Sequence, residues 1–182
     1  MRTLLSTCRY PRPLFPDQLL GTSLPERTLT PAELAAWARR VRTARLDWAL
    51  LAPFLRFEAE RYARIPLAVS RHWELVLVSW LPGQASAVHD HGGSHGASVL
   101  LAGALLETSF RRQGRRLVPV RRRRVQRGQA MLEGHGGIHR VANDAERPAI
   151  SLHLYSPPLC DVRVYPEPGP ARVEDRAGYA VH

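Results

Sequence analysis

Lysine is missing from this chain. All 26 basic residues are arginine, set against 16 aspartates and glutamates for a formal charge of +10. A charge of that size invites a nucleic-acid partner, and the block Arg121-Arg122-Arg123-Arg124 sharpens the invitation. Aromatic side chains that could stack on bases are absent around that block. It also follows Arg111-Arg112-Gln113-Gly114-Arg115-Arg116, where a turn at the glycine would expose it on a hairpin. The arginines therefore read as a compositional bias and a solvated hairpin, and no nucleic-acid partner is expected. Cysteine is scarce as well. Cys8 and Cys160, far apart in the chain, make no disulfide framework, which points to a reducing cytoplasm. No unbroken apolar run reaches membrane length. The first twenty residues, with prolines at 11, 13 and 16, lack the apolar centre of a signal peptide. A soluble cytoplasmic protein with no membrane partner is expected.

What is present suits one domain: 182 residues, 45% of them apolar. Residues 1–29 are Pro-rich and aperiodic and read as a peripheral arm. Thr30-Pro31-Ala32-Glu33 is a capping box with Pro at the first helical position, and Leu34, Trp37, Ala38 and Val41 then share one helical face. A second helical piece over Leu46–Glu60, interrupted near Pro53, completes a preface over 30–60. From Arg61 the period drops to two. Strands are expected from Tyr62 to Ser79 and over 85–91, 96–102, 104–111, 116–125, 129–133, 138–142 and 148–155, punctuated by Gly and Pro-Gly turns. Many short strands at this spacing predict a sandwich or barrel, mainly β, over 61–158. Residues 166–182, rich in Pro, Gly and charge, read as a loosely attached tail.

The organising stretch is Pro82-Gly83-Gln84-Ala85-Ser86-Ala87-Val88-His89-Asp90-His91-Gly92-Gly93-Ser94-His95-Gly96. On an extended backbone His89 and His91 point to one face, which is half of a metal site. The third ligand is expected to be His139, within Gly136-Gly137-Ile138-His139-Arg140-Val141-Ala142-Asn143. His95 and His135 compete only by proximity and are placed at the rim. Imidazoles suit zinc, copper, nickel or iron, so spacing does not choose the metal.

The two histidine-bearing segments resemble the paired motifs of the cupin superfamily. Gly83, His89, His91, position 96 and Gly103 match the first, and Gly128, Gly136, His139 and Asn143 the second, with Gly134 where Pro is usual. Position 96 is where most metal cupins carry a glutamate ligand; here it is Gly. That departure, with Ser94-His95, Tyr62-x-Arg64, Leu105-Leu106-Glu107-Thr108-Ser109-Phe110 and Ser151-Leu152-His153-Leu154-Tyr155-Ser156-Pro157-Pro158, narrows the resemblance to the thiol dioxygenases. Within them the chain resembles the cysteine dioxygenases of bacterial type, over residues 30–165.

The resemblance implies a double-stranded β-helix (jelly-roll) barrel with a short N-terminal helical segment; a monomer is expected. It implies one Fe(II) held by His89, His91 and His139, and addition of both atoms of O2 to the sulfur of L-cysteine, giving cysteine sulfinate. With no ligand at Gly96 the iron keeps its full charge and favours an anionic thiolate. Arg64 and Tyr62 would grip the substrate carboxylate, a task suited to a planar guanidinium. Ser151 would orient His153, and His153 the Tyr155 hydroxyl. Relatives preferring 3-mercaptopropionate have Gln at the Arg64 position, so Arg64 points to L-cysteine. In animal members the Gly96 position is a Cys joined to the tyrosine matching Tyr155. Gly96 cannot form that bond, and Cys8 and Cys160 stand elsewhere and read as structural. Ser156-Pro157 is a candidate cis peptide, as in the family. The alternatives are a dioxygenase for another small thiol such as 3-mercaptopropionate, and a non-enzymatic metal-binding cupin.

Overall fold

The structure, a computed structural model, describes residues 12–114 and 116–167. Helix α1 spans Pro16–Leu20, α2 Pro31–Thr43 and α3 Trp48–Leu51, the last running into a 3₁₀ turn at Ala52–Phe54. The strands are β1 Ala63–Val69, β2 Glu74–Trp80, β3 Val88–His89, β4 His95–Ala102, β5 Ala104–Gln113, β6 Arg116–Gln126, β7 Ala130–Glu133, β8 Ile138–Ala142, β9 Ala149–Ser156 and β10 Val164–Tyr165. They form two five-stranded antiparallel sheets, ordered β1-β2-β9-β4-β7 and β10-β3-β8-β5-β6. This is the mainly β, double-stranded β-helix arrangement expected. No helix among the described residues is long and apolar enough to cross a membrane.

Helix α2 starts where its sequence dictates. The Thr30 hydroxyl accepts from Glu33 N–H at 3.3 Å, and the Glu33 carboxylate accepts from Thr30 N–H at 2.8 Å. Such a cap stabilises a helix by about 1 kcal/mol. The buried face is Leu34, Trp37, Ala38 and Val41.

Alternation in β2 and β9 sets the layers. Leu75, Leu77, Leu152 and Leu154 face the helices and pack with Leu34, Trp37, Val41 and Leu51. Val76, Val78 and Trp80 turn the other way and meet Leu100, Leu105, Val125, Met131 and Val141 between the sheets. Strand β2 is thus buried on both faces, which is why both parities of its sequence are largely apolar. The inward parity of β9 carries Ser151, His153 and Tyr155, opposite Val78, Val76 and Glu74 of β2. All three are buried, so each polar atom needs a partner or the fold loses about 1–3 kcal/mol per orphan.

Two segments differ from expectation. The helical preface ends at Phe54, and residues 55–60 are not helical; Pro53, inside the 3₁₀ turn, has no N–H to carry an α-helical ladder onward. Residues 12–29, expected in a peripheral arm, are docked. Leu14, Leu19 and Leu29 are buried, Leu14 N–H donates to Leu67 O at 2.9 Å and Leu29 N–H to Ser156 Oγ at 2.8 Å. Leucines spaced irregularly among prolines leave no periodic signal of docking. Residues 1–11 and 168–182, with Cys8 and most of the expected tail, lie outside the described residues.

Candidate metal centre

Strand pairing assembles the histidines. His89 on β3 lies directly opposite His139 on β8, and His91 follows two residues on. The ring centroids are 5.2 Å apart for His89 and His91, and 4.8 Å for each of them with His139. One nitrogen from each of the three lies within 4.8 Å of the others. His95 and His135 stand apart from this group, their rings 6.1 Å from each other, with His135 Nδ1 3.3 Å from Gly93 O.

The free nitrogens follow from the bonds made by the others. His89 Nδ1 is 2.9 Å from Ala87 O, a carbonyl that can only accept, so Nδ1 carries the proton and Nε2 keeps its lone pair. His139 Nδ1 donates in the same way to Glu107 Oε1 at 3.3 Å. His91 is 2% exposed, and neither of its ring nitrogens has a partner among the described residues. Burial, and then the charges of His139 and His89, push His91 down to about 3. Burial lowers His89 as well, so His89 and His91 are held in the neutral, ligating form. A buried, unpartnered imidazole facing two free lone pairs fits a bound metal ion.

Behind His139, Glu107 is fixed by Arg123, which donates from Nη2 at 2.8 Å and Nε at 3.2 Å. Strand register places the two opposite one another across the β5–β6 hairpin. This corrects the solvated-hairpin expectation at one position. Arg121, Arg122 and Arg124 are exposed, but Arg123 folds inward because Glu107 offers it a carboxylate. Such carboxylate–histidine pairs fix ring orientation and strengthen ligation.

Over the histidines lies a pocket of about 300 Å³ whose lining includes Tyr62, Arg64, Glu74, Glu133, His153 and Tyr155. Tyr62 precedes β1 and stacks on Trp80, centroids 4.4 Å apart. Arg64 Nη2 binds Glu74 Oε1 at 2.5 Å, and the same oxygen accepts from Leu159 N–H at 3.0 Å. The Ser156-Pro157 peptide leading to Leu159 is cis.

The polar ladder of β9 is fully bonded. Trp80 Nε1–H, which can only donate, points to Ser151 Oγ at 3.0 Å. Ser151 Oγ lies 2.7 Å from His153 Nε2. His153 Nδ1 lies 2.9 Å from Tyr155 Oη; with the Ser151 proton directed at Nε2, Nδ1 carries the ring proton and donates to the phenol oxygen. In that arrangement the Tyr155 O–H is free to donate into the pocket. Burial pushes the Tyr155 phenol well above its ordinary range and His153 down to about 3, so both are neutral at physiological pH.

Five contributors escape motif reasoning: Glu74, Trp80, Glu107, Arg123 and Glu133. Glu74 and Glu133 could have been suspected as lone acids at inward positions of otherwise apolar strands. Glu107 stood in a recognised motif without a role. Nothing local distinguishes Arg123 from its neighbours.

A family model described as Cysteine dioxygenase type I matches residues 32–168. The chain is similar to cysteine dioxygenase type 1 of Danio rerio, 35% identical over 129 residues, covering 65% of this chain and 61% of that protein. It is similar to cysteine dioxygenase type 1 of Homo sapiens, 35% identical over 119 residues, covering 62% and 58%. The matched stretch thus spans about 60% of the length of these relatives. Among solved structures, an uncharacterized conserved protein with a double-stranded β-helix domain from Klebsiella pneumoniae superposes with a TM-score of 0.51 at 15% identity, covering 64% of this chain and 95% of that one. That likeness bears on the fold alone. With a matching family model over most of its length and the histidine cluster that its first half and second half jointly build, the chain belongs to the cysteine dioxygenase type I family.

Proposed function

We propose that this chain is an Fe(II)-dependent dioxygenase that adds both atoms of O2 to the sulfur of L-cysteine, giving cysteine sulfinate, with residues 30–165 as the working unit. The observation that carries the proposal is convergence. His89, His91 and His139 cluster, and two of them, His89 and His139, line one pocket with a guanidinium and a phenol. Fe(II) held by His89, His91 and His139 would supply the redox chemistry that joins O2 to a thiolate.

The chain's own residues do the rest. Arg64 keeps one N–H on Glu74 and presents its remaining donors to the substrate carboxylate, with Tyr62 on the same pocket wall. Trp80, Ser151 and His153 lock the Tyr155 hydroxyl as a donor toward substrate. Val78, Val141 and Leu159 make the apolar wall that limits water around the reacting sulfur.

An oxygen electrode should show iron-loaded protein consuming O2 fastest with L-cysteine among L-cysteine, 3-mercaptopropionate and cysteamine. Both atoms of isotopically labelled O2 should appear in the sulfinate. No uptake with any thiol would sink the proposal and leave a metal-binding cupin without enzymatic activity. One observation favours a different small thiol: Glu74 already neutralises part of the Arg64 charge, which weakens the pull on a carboxylate. Faster turnover of cysteamine than of L-cysteine would select that alternative.

A further inference from the structure

Register lines up four residues across the first sheet. Glu133 on β7 is opposite Gly96 on β4, Gly96 opposite Tyr155 on β9, and Tyr155 opposite Glu74 on β2. Glu133 and Tyr155 are thus two strand widths apart, roughly 9.5 Å, with no side chain between them. The gap is nevertheless filled. A Cβ on Gly96 would overlap Glu133 Oε2 and stand 2.8 Å from both Cδ1 and Cε1 of Tyr155. Carboxyl and phenol ring therefore both crowd the place a Cβ would take, and glycine is required here for space.

Glu133 is 6% exposed. Its Oε1 accepts from the buried Ser98 hydroxyl at 3.0 Å, two residues from Gly96 on the same face of β4. Its Oε2 has no partner among the described residues. An orphan oxygen on a buried carboxyl is expensive, and burial pushes this carboxyl up to about 7. Hydrocarbon at 133 would avoid the expense, but a shorter apolar side chain would not reach across the glycine. The Tyr155 ring also stacks at 5.7 Å on His91.

We propose that Glu133 is a positioning residue for Tyr155: anchored by Ser98, its carboxyl end fills the place of a side chain at 96 and holds the phenol ring against His91. This rests on the proposal that the Tyr155 hydroxyl serves the reaction, but the packing half is tested without it.

The experiment uses iron-loaded full-length protein and the variants Gly96→Ala, Glu133→Ala, their double, and Glu133→Gln. In thermal melts Gly96→Ala should lower Tm by several degrees alone and by less than half as much in the Glu133→Ala background, because the new methyl then has room. Additive shifts would overturn the shared space and the proposal with it. In turnover, Glu133→Ala should keep its iron and its KM for L-cysteine within about twofold while kcat falls roughly tenfold and O2 use uncouples from sulfinate, as expected of a misplaced group. Glu133→Gln, with the same shape and an oxygen for Ser98, should restore kcat to within about twofold. Lost iron, a raised KM with unchanged kcat, or an unaffected Glu133→Ala would each overturn the positioning role. If the unmodified protein turns over no thiol, the proposed function fails, while the Tm cycle still decides whether Glu133 and Gly96 compete for one space.

Discussion

Replacing Arg64 with alanine removes the one arginine among the described residues that lines the pocket, and its effect can be worked from the contacts. The guanidinium side chain is 36% exposed and one Nη2 donor is committed to Glu74. Two parallel bonds to a substrate carboxylate are therefore valued at the low end for charge-assisted bonds, about 1.5 kcal/mol each. Their sum converts to about 10²-fold in kcat/KM for L-cysteine. A second effect has the same sign. Glu74, its side chain 9% exposed, would keep only the Leu159 N–H and would face the substrate carboxylate as an uncompensated negative charge. The loss should exceed 10²-fold for that reason, and adding Glu74→Gln to Arg64→Ala should recover part of it. Cysteamine, which has the thiol and amine but no carboxylate, should turn over as poorly in the variant as before. Initial rates from an oxygen electrode, with sulfinate quantified by NMR, give both ratios. Equal losses for L-cysteine and cysteamine would mean that Arg64 supports the fold or the metal, and L-cysteine would then lose its claim.

Other perturbations test the support around the site. Glu107→Gln should weaken metal retention by roughly tenfold or more, since carboxylates behind ligating histidines typically carry that much; titration with a chelator, followed by metal analysis, reads it. Trp80→Phe removes the donor-only N–H at the head of the ladder, so kcat should fall with metal content unchanged, and Tyr155→Phe should uncouple O2 use from sulfinate in the same way. Unchanged coupled turnover in both would remove the ladder from the mechanism. Glu133 supplies a pH test. Its folded carboxyl is raised from 4.5 to about 7, so its contribution to stability is fully present below about 4.5 and is lost as pH rises through 7. Glu133→Gln, which stays neutral, should gain on the unmodified protein in melts from pH 5 to 8.5, by up to about 3 kcal/mol. A difference that does not grow with pH would mean the carboxyl is solvated.

The features legible from sequence alone are those set by neighbours a few residues away. The capping box Thr30 to Glu33, the helical face of α2 and the shared face of His89 and His91 follow from local backbone periodicity. The glycine-punctuated strands pointed to a β sandwich or barrel, and the residues around His139 matched a motif strongly enough to pair it with a segment fifty residues earlier. The site's chemistry beyond the ligands depended on pairing between distant strands. Glu107 reaches His139 across 32 residues, Trp80 reaches Ser151 across 71, and Glu74 reaches Leu159 across 85. Such partners are chosen by register, and register is settled by which faces the whole sheet can bury. Hence Arg123 looked like any other arginine in its block until β6 was laid beside β5. Gly96 likewise looked like an absence, a missing ligand, until the tertiary structure brought Glu133 and Tyr155 to either side of it. Steric exclusion between strands is a property of the packed sheet and of no single segment.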